Sequence, residues 1–474
     1  MQDSKDFKQE YLKKLPAAGK LIHHPEIKEL TELYSRDFVV KIMQKSIDEV
    51  RNAVINSENE NDLKNTDLSA EHFIDVITSR INKIYKPSMG HVINATGIIL
   101  STNLGRAPLS KSAQEALLNT TKGYSPLAVS IETGHRGDRD SHIQELLTIL
   151  TGAEAATVAN NNAAATMLIL SSIAKGKEVL VSRGQLVEIG GDFQLVEVVH
   201  RSGATLVEVG STNRTHLKNY KEAITENTGA ILRVHQSNYR IIGFTEEVPL
   251  IDLVQLGKEH NIPVIDDLGS GALVDLSKYG LPAEPLVADS VQNGADIVCF
   301  SGDKLLSGPQ AGIIIGKKKY IQIIKKNPMS RMLRVCKLTV TALEATLRLY
   351  LNEETIAETN PTLRILTRPL RELEETAKAL ADRLSKSLEG KAIVQVIDGY
   401  SQVGGGSLPM ENIPTKLLSV KPLHIPVDVL SINLRKSDTP VFTRIQQDCL
   451  LFDLRTVIDD EPDLMASILE SCLC

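Results

Sequence analysis

The stretch Cys299-Phe300-Ser301-Gly302-Asp303-Lys304-Leu305-Leu306-Ser307-Gly308-Pro309-Gln310-Ala311-Gly312 decides how this chain is read. It begins inside an apolar run, Ala295-Asp296-Ile297-Val298-Cys299-Phe300, which has the texture of a buried strand. A second apolar run, Gly312-Ile313-Ile314-Ile315-Gly316, follows it. Lysine ordinarily keeps its ammonium group in water. One placed on a Gly-Pro loop between two buried strands is costly to keep charged, and a neutral amine there serves as a Schiff-base nucleophile.

Working outward, apolar strand-like runs alternate with helix-like stretches from Val92 to about residue 330. The runs are Ala155–Ala159, Glu178–Val181, Thr205–Val209, Ala230–Val234, Pro263–Ile265, Ile297–Phe300 and Gly312–Ile315. This alternation predicts an α/β fold with a mostly parallel sheet. At 474 residues the chain is expected to hold two or three domains. The expected division is a helical N-terminal domain at 1–62, a linker helix at 63–90, a large α/β domain at 91–335 and a small α+β domain at 336–474. In the first of these, Leu30, Leu33, Tyr34, Phe38, Val39, Ile42 and Met43 have helix spacing. Asp67-Leu68-Ser69 predicts a cap for a helix reaching about Tyr85. In the last, Ala392–Ile397 and Val427–Ile432 are candidate strands.

Composition narrows the function classes. The formal charge of −6 provides no global basic field, so a nucleic-acid partner would need a local patch. No apolar run is long enough to span a membrane and the polar N-terminus has no signal-peptide pattern, so a soluble cytoplasmic protein is expected. The five cysteines, Cys299, Cys336, Cys449, Cys472 and Cys474, are odd in number and do not form a disulfide framework. Cys472 and Cys474 read as a frayed tail, and no metal site is expected.

Three motifs in the α/β block carry chemistry. In Thr157–Thr166 a strand ends at Asn160-Asn161-Asn162-Ala163 and a small-residue helix begins, and the free N–H groups there suit a phosphate. In Pro263-Val264-Ile265-Asp266-Asp267-Leu268-Gly269-Ser270-Gly271 a carboxylate stands at the C-terminal end of a strand, where ligands bind in open α/β sheets. Such an acid can pair with a protonated pyridine nitrogen. Asp267, which leads directly into the glycines, and Asp266 are rivals for that role, because adjacent strand residues face opposite ways. The third motif is Lys304, 37 positions after Asp267 (304 minus 267).

In this order, phosphate turn, aspartate and lysine, the chain resembles the fold-type I pyridoxal-phosphate enzymes. The resemblance extends to bacterial selenocysteine synthase, the L-seryl-tRNA(Sec) selenium transferase family. It is carried by Val92-Ile93-Asn94-Ala95-Thr96-Gly97, Thr102-Asn103-Leu104-Gly105-Arg106-Ala107-Pro108, Glu132–Arg139, Val234–Tyr239, Asp267–Gly271 and Ser301-Gly302-Asp303-Lys304. It implies that pyridoxal 5'-phosphate sits on Lys304, with Asp267, Asn160, Asn161, Asn162, Ala163 and Ser301 around it. It further implies conversion of seryl-tRNA(Sec) to selenocysteinyl-tRNA(Sec) with selenophosphate, through an aminoacrylyl intermediate. Arg106, Arg331, Arg334 and Asp303 match the family's active-site positions, and arginine's planar fork suits the oxygens of a selenium donor. Arg331 and Arg334 are three apart and share a face if helical. The family also implies a homo-oligomer, a ring of dimers, and an N-terminal region that grips tRNA through residues such as Lys13, Lys20, Lys28, Arg36 and Lys41. Arg455 is left as structural or unassigned. The alternatives are a pyridoxal-phosphate lyase acting by β-elimination on a small amino acid, and a non-catalytic cofactor sensor with a nucleic-acid-binding arm.

Overall fold

In the computed structural model the described residues are 3–64, 66–190, 193–409 and 411–473. They group into two compact units, Met1–His91 and Val92–Cys474.

The first unit is helical: Asp3–Lys14, Ala18–Leu21, Pro25–Leu33, Arg36–Asn56 and Ala70–Tyr85 are its α-helices. The continuous apolar pattern from Leu30 to Met43 is divided at Tyr34-Ser35, where the Ser35 hydroxyl accepts the Phe38 N–H and opens a new helix. Ser69 caps the last helix by accepting the His72 N–H at 3.2 Å. That helix was expected as a linker. Its Phe73, Ile74, Ile77 and Ile81 instead pack with Ile27, Val39 and Met43 in one core. A helix with a wide apolar stripe must bury it, and the helices before it supply the partner. The Tyr34 and Tyr85 rings meet at a tilt of 51°, with centroids 4.1 Å apart.

The second unit is built on a seven-stranded sheet. Its strands are β1 (Ala155–Ala159), β2 (Glu178–Ser182), β3 (Thr205–Val209), β4 (Thr228–Val234), β5 (Val264–Gly269), β6 (Ile297–Ser301) and β7 (Gly312–Gly316). They lie in the order β1-β7-β6-β5-β4-β2-β3. All pairings are parallel except those of β7, which runs antiparallel between β1 and β6. Every residue of β1, β6 and β7 is buried, as expected of strands covered on both faces. The short link from Ser301 to Gly312 cannot make a crossover, so β7 must return antiparallel.

A second sheet is antiparallel: β8 (Ala392–Gln402), β9 (Asn412–Pro422), β10 (Arg444–Gln446) and β11 (Cys449–Asp453), ordered β8-β9-β11-β10. Its core joins Leu373, Leu380, Leu418, Phe452 and Leu469 to Ile93 from the start of the unit. Ile93-Asn94 pairs in parallel with Val441-Phe442. The expected division at 335/336 does not match this packing. Val340, Leu343, Leu347, Leu363 and Leu366 belong to the core of the large sheet, and the small subdomain gathers its own core only from Leu373 onward.

Val427–Ile432, read as a strand, is the start of the helix Val427–Lys436. Its β-branched residues suggested a strand, but Leu430 and Leu434 are buried one turn apart, and helical period won over local propensity. Arg455 is structural. It is 3 % exposed, and its guanidinium donates to the carbonyls of Ile365, Leu366, Arg368 and Pro414 at 2.7–3.2 Å.

Gly312 shows how tightly β7 is set against the turn after β1. A Cβ built there would lie 2.1 Å from the Asn161 carbonyl oxygen and 2.9 Å from the Ala165 Cβ. Gly312→Ala is expected to destabilise the protein by about 1–3 kcal/mol through overpacking. A lower denaturation midpoint at unchanged m-value is the measurement that checks it.

Candidate active site

The lysine turn is held rigidly from beneath. Gly302 N–H donates to the Ala311 carbonyl at 2.8 Å, and Ser307 N–H to that of Lys304 at 2.9 Å. The Tyr350 hydroxyl donates to the Leu305 and Leu306 carbonyls at 3.2 and 3.1 Å. Asn360, wholly buried, donates to Leu306 O and to the Tyr350 oxygen. These buried side chains satisfy the turn's carbonyls, which have no ladder partner.

Lys304 is 5 % exposed. Burial lowers its amine below the ordinary lysine range, and the Arg106 guanidinium pushes the same way. Asp267, Asp303 and Glu284 oppose them. The amine nitrogen lies 3.3 Å from the Cβ position of Gly406 and 3.9 Å from that of Gly269. Any side chain at Gly406 would crowd it.

Asp267 and Asp266, neighbours on β5, have divided roles. Asp266 accepts from Arg233 at 2.8 Å and from the Ser290 hydroxyl at 2.6 Å. Asp267 accepts from Asn162 Nδ2 at 2.7 Å and from the Thr166 hydroxyl at 2.9 Å. Burial raises the Asp267 carboxyl above the usual range, against these donors and Lys304. The Cys299 thiol, also buried, is pushed well up by burial and by Asp267, so it stays protonated and unreactive.

The turn after β1 presents a clear set of N–H donors. Asn161 caps the helix Asn162–Ile173, its side chain accepting the Ala164 N–H at 2.9 Å. Its carbonyl takes the Ala165 N–H. Capping thereby leaves the first-turn N–H groups of Asn162 and Ala163 for a ligand. The Asn162 side chain is committed to Asp267, so Asn162 has only its backbone to offer a phosphate. Asn160 N–H donates to the Leu333 carbonyl at 2.9 Å, and Ser301 is buried at the end of β6.

That Asn160–Leu333 bond brings the arginine segment beside the turn. Arg331 closes the short helix Pro328–Met332, whereas Arg334 lies beyond it, so the two do not share a helix face. Both are exposed. Arg139 donates to the Val335 carbonyl at 2.7 Å, fixing the end of this segment. Arg106 enters from the other side. It has a left-handed backbone, φ 64°, and its guanidinium donates to Asp303 Oδ2 at 2.7 Å. A cleft of about 340 Å³ opens there, lined by Thr102, Arg106, Asp303 and Gln310 among others. A wider groove of about 520 Å³ between the helices Lys111–Thr121 and Lys337–Leu349 contains none of these residues.

Several groups around the lysine escaped the sequence reading. Thr166 stands one turn after Asn162 and shares its face, a spacing that could have been noticed. Gly404-Gly405-Gly406, all left-handed, is legible as a loop but not as one that reaches Lys304. Glu284 is far from any motif spacing, whereas His235 lies within the Val234–Tyr239 motif but was given no role of its own. Glu284 is buried, and burial lowers the His235 imidazole, with Glu284 opposing.

These residues fit pyridoxal phosphate: a desolvated amine, a buried carboxylate for the ring nitrogen and open N–H donors for the phosphate. The buried Asn162 Oδ1 has no partner within the protein, and a bound polar group would supply one. The fold and site define a fold-type I pyridoxal-phosphate enzyme, and the solved D-glucosaminate-6-phosphate ammonia-lyase shares the fold at TM-score 0.56. Those two chains are 20 % identical over 83 % of this chain and 98 % of the other. More closely, the L-seryl-tRNA selenium transferase profile matches residues 92–458. L-seryl-tRNA(Sec) selenium transferases from Alkaliphilus metalliredigens and Carboxydothermus hydrogenoformans are 46 % and 43 % identical, covering 94 % and 98 % of this chain and 95 % and 98 % of theirs. The relative of that name from Solidesulfovibrio magneticus is 51 % identical over 81 % of this chain and 82 % of its own length. The chain belongs to this family. Among the described residues, no helix is long and apolar enough to cross a membrane and no group of three His, Cys, Asp or Glu side chains could hold a metal ion. Cys472 is a free thiol, and Cys474 lies outside the described residues.

A carboxyl raised on folding stabilises the folded protein below its unfolded value, and that contribution is lost as pH rises through the folded value. Cofactor-free protein is therefore expected to lose stability from acid toward neutral pH on account of Asp267. Asp267→Asn should flatten that dependence. Urea unfolding across the same pH range measures it, and an unchanged slope would contradict the assignment.

Proposed function

We propose that this protein converts seryl-tRNA(Sec) to selenocysteinyl-tRNA(Sec), taking selenium from selenophosphate, with pyridoxal phosphate carried on Lys304. The observation that bears most weight is the desolvated Lys304 amine set beside the Arg106–Asp303 pair at 2.7 Å. When bound, pyridoxal phosphate supplies the electron sink for breaking the Cα–H bond of the seryl group.

The chain's own groups do the rest. Lys304, favoured as a neutral amine by its burial, takes the Cα proton. Asp267 holds a proton at the pyridine nitrogen, and it is favoured for this over Asp266, whose oxygens are taken by Arg233 and Ser290. The N–H groups of Asn162 and Ala163 hold the cofactor phosphate, and Asn160, Asn161 and Ser301 shape the turn. Arg106, Arg331 and Arg334 receive the oxygens of selenophosphate. Neither Arg331 nor Arg334 has an acidic partner among the described residues, which supports their being available to an anion. Asp303 orients Arg106 and counters its charge near Lys304.

The helical unit is proposed to hold tRNA. Lys13, Lys20, Lys28, Arg36 and Lys41 are all exposed on it, and phosphate contacts require only such a local basic face. A cytoplasmic homo-oligomer, a ring of dimers, completes the reading by its likeness to the family.

Lys304→Ala is expected to lose the absorbance of lysine-bound cofactor and to reduce turnover by at least about a thousandfold, the scale of losing a group that acts in both binding and proton transfer. Incubation with seryl-tRNA, with and without selenophosphate, reads the product directly. Equal turnover of free serine would favour the lyase, and a cofactor spectrum without elimination would favour the sensor. Removal of the whole helical unit, residues 1–91, should abolish tRNA binding in a filter assay while the cofactor absorbance persists.

A further inference from the structure

We propose that Glu284 is a positioning residue that fastens the glycine loop 404–406 against Lys304. The inference rests on Lys304 being the reacting amine.

Glu284 is 7 % exposed, and its two carboxylate oxygens serve different segments. Oε1 accepts the Leu408 N–H at 2.7 Å. Oε2 accepts the Ser270 hydroxyl at 3.3 Å and lies 3.9 Å from His235 Nε2. Ser270 directly follows β5, which bears Asp267, and its carbonyl accepts the Leu305 N–H of the lysine turn at 3.3 Å. His235 directly follows β4, and its N–H donates to the Asp267 carbonyl at 2.9 Å. One buried carboxylate thus ties the loop to the end of β5, with His235 at the end of β4 close beside it.

The loop needs such a tie. Gly404, Gly405 and Gly406 have φ of 72°, 61° and 75°, and Leu408, which has a side chain, sits at φ 45°. Glycines keep wide freedom when nothing holds them, and a left-handed leucine persists only where its surroundings enforce it. The loop lies against the amine, with the Gly406 Cβ position 3.3 Å from both Lys304 Nζ and Ser237 Oγ. A carboxylate accepting a backbone N–H makes a charge-assisted bond stronger than a neutral one. The Glu284 carboxylate also raises the Lys304 amine's proton affinity, so its loss would alter both the cover and the charge of the nucleophile.

The test compares Glu284→Ala and Glu284→Asp with wild type, the aspartate keeping the charge but shortening its reach. Amide hydrogen exchange is followed in peptides spanning 403–409, on cofactor-free protein. Both variants are expected to exchange there about tenfold faster, with β5 unchanged. The second readout is the rate at which Lys304 condenses with added pyridoxal phosphate, followed by absorbance and expected to rise severalfold. Wild-type exchange at 403–409 in whichever variant folds, equal acceleration in loop and β5, or an unchanged condensation rate each overturns the proposal. If wild-type protein forms no lysine-bound cofactor at all, the reading of Lys304 fails instead, and the exchange data still report on the loop.

Discussion

An amine kept out of water is the constraint around which the second unit is arranged. A lysine side chain buried without an adequate counter-charge loses much of its proton affinity, and the chain stands the cost of that burial by fixing everything nearby. Tyr350 and Asn360 satisfy the carbonyls behind the lysine turn. Arg106 brings positive charge close, and Asp303 accepts from it so that this charge is not itself left unpaired. Asp267 stands opposite, raised by its own burial. The desolvation that depresses the lysine also raises the carboxyl, so the two groups are moved toward each other in proton affinity by a common cause.

The sheet makes this geometry from segments far apart in sequence. β5 delivers Asp267, the end of β6 delivers the lysine turn, and the turn after β1 delivers the first-turn N–H groups of Asn162 and Ala163 and the Asn162 and Thr166 side chains that steady Asp267. The C-terminal ends of parallel strands converge there, which is the general place for a ligand in open α/β sheets. The second sheet contributes by another route, through the glycine loop between β8 and β9, whose Leu408 reaches Glu284.

What could be read from the sequence was whatever lies within one strand–turn unit. Lys304 between two buried runs, Asp267 before Gly-Ser-Gly and the Asn160–Ala163 turn each announce themselves locally, and their order pointed to a family. Long-range partners left no such mark: nothing in spacing joins Glu284 to Leu408, or Tyr350 to the lysine turn. Local propensity misled at Val427–Ile432, where β-branched residues lie on a helix fixed by Leu430 and Leu434. The face that Arg331 and Arg334 would share if helical does not form, because the helix ends at Met332, two residues before Arg334. The boundary at 335/336 failed for a similar reason, since the helices after it bury their apolar faces on the large sheet.

The antiparallel return of β7 has a consequence for how such a chain can change over time. Because β7 is hydrogen-bonded to β6 on one side and β1 on the other, the lysine turn and the phosphate turn are neighbours although some 140 residues separate them. Insertions in the crossover connections on the far side of the sheet can lengthen the chain between them without altering their spacing, at an entropic expense that grows only slowly with loop length. The link from Ser301 to Gly312 has no such latitude. A single added residue there would slip β7 against both neighbours and exchange the side chains it presents to the two covered faces of the sheet. Length is therefore far less free in the ten residues between Ser301 and Gly312, the step that opened the reading of the chain, than in those crossovers.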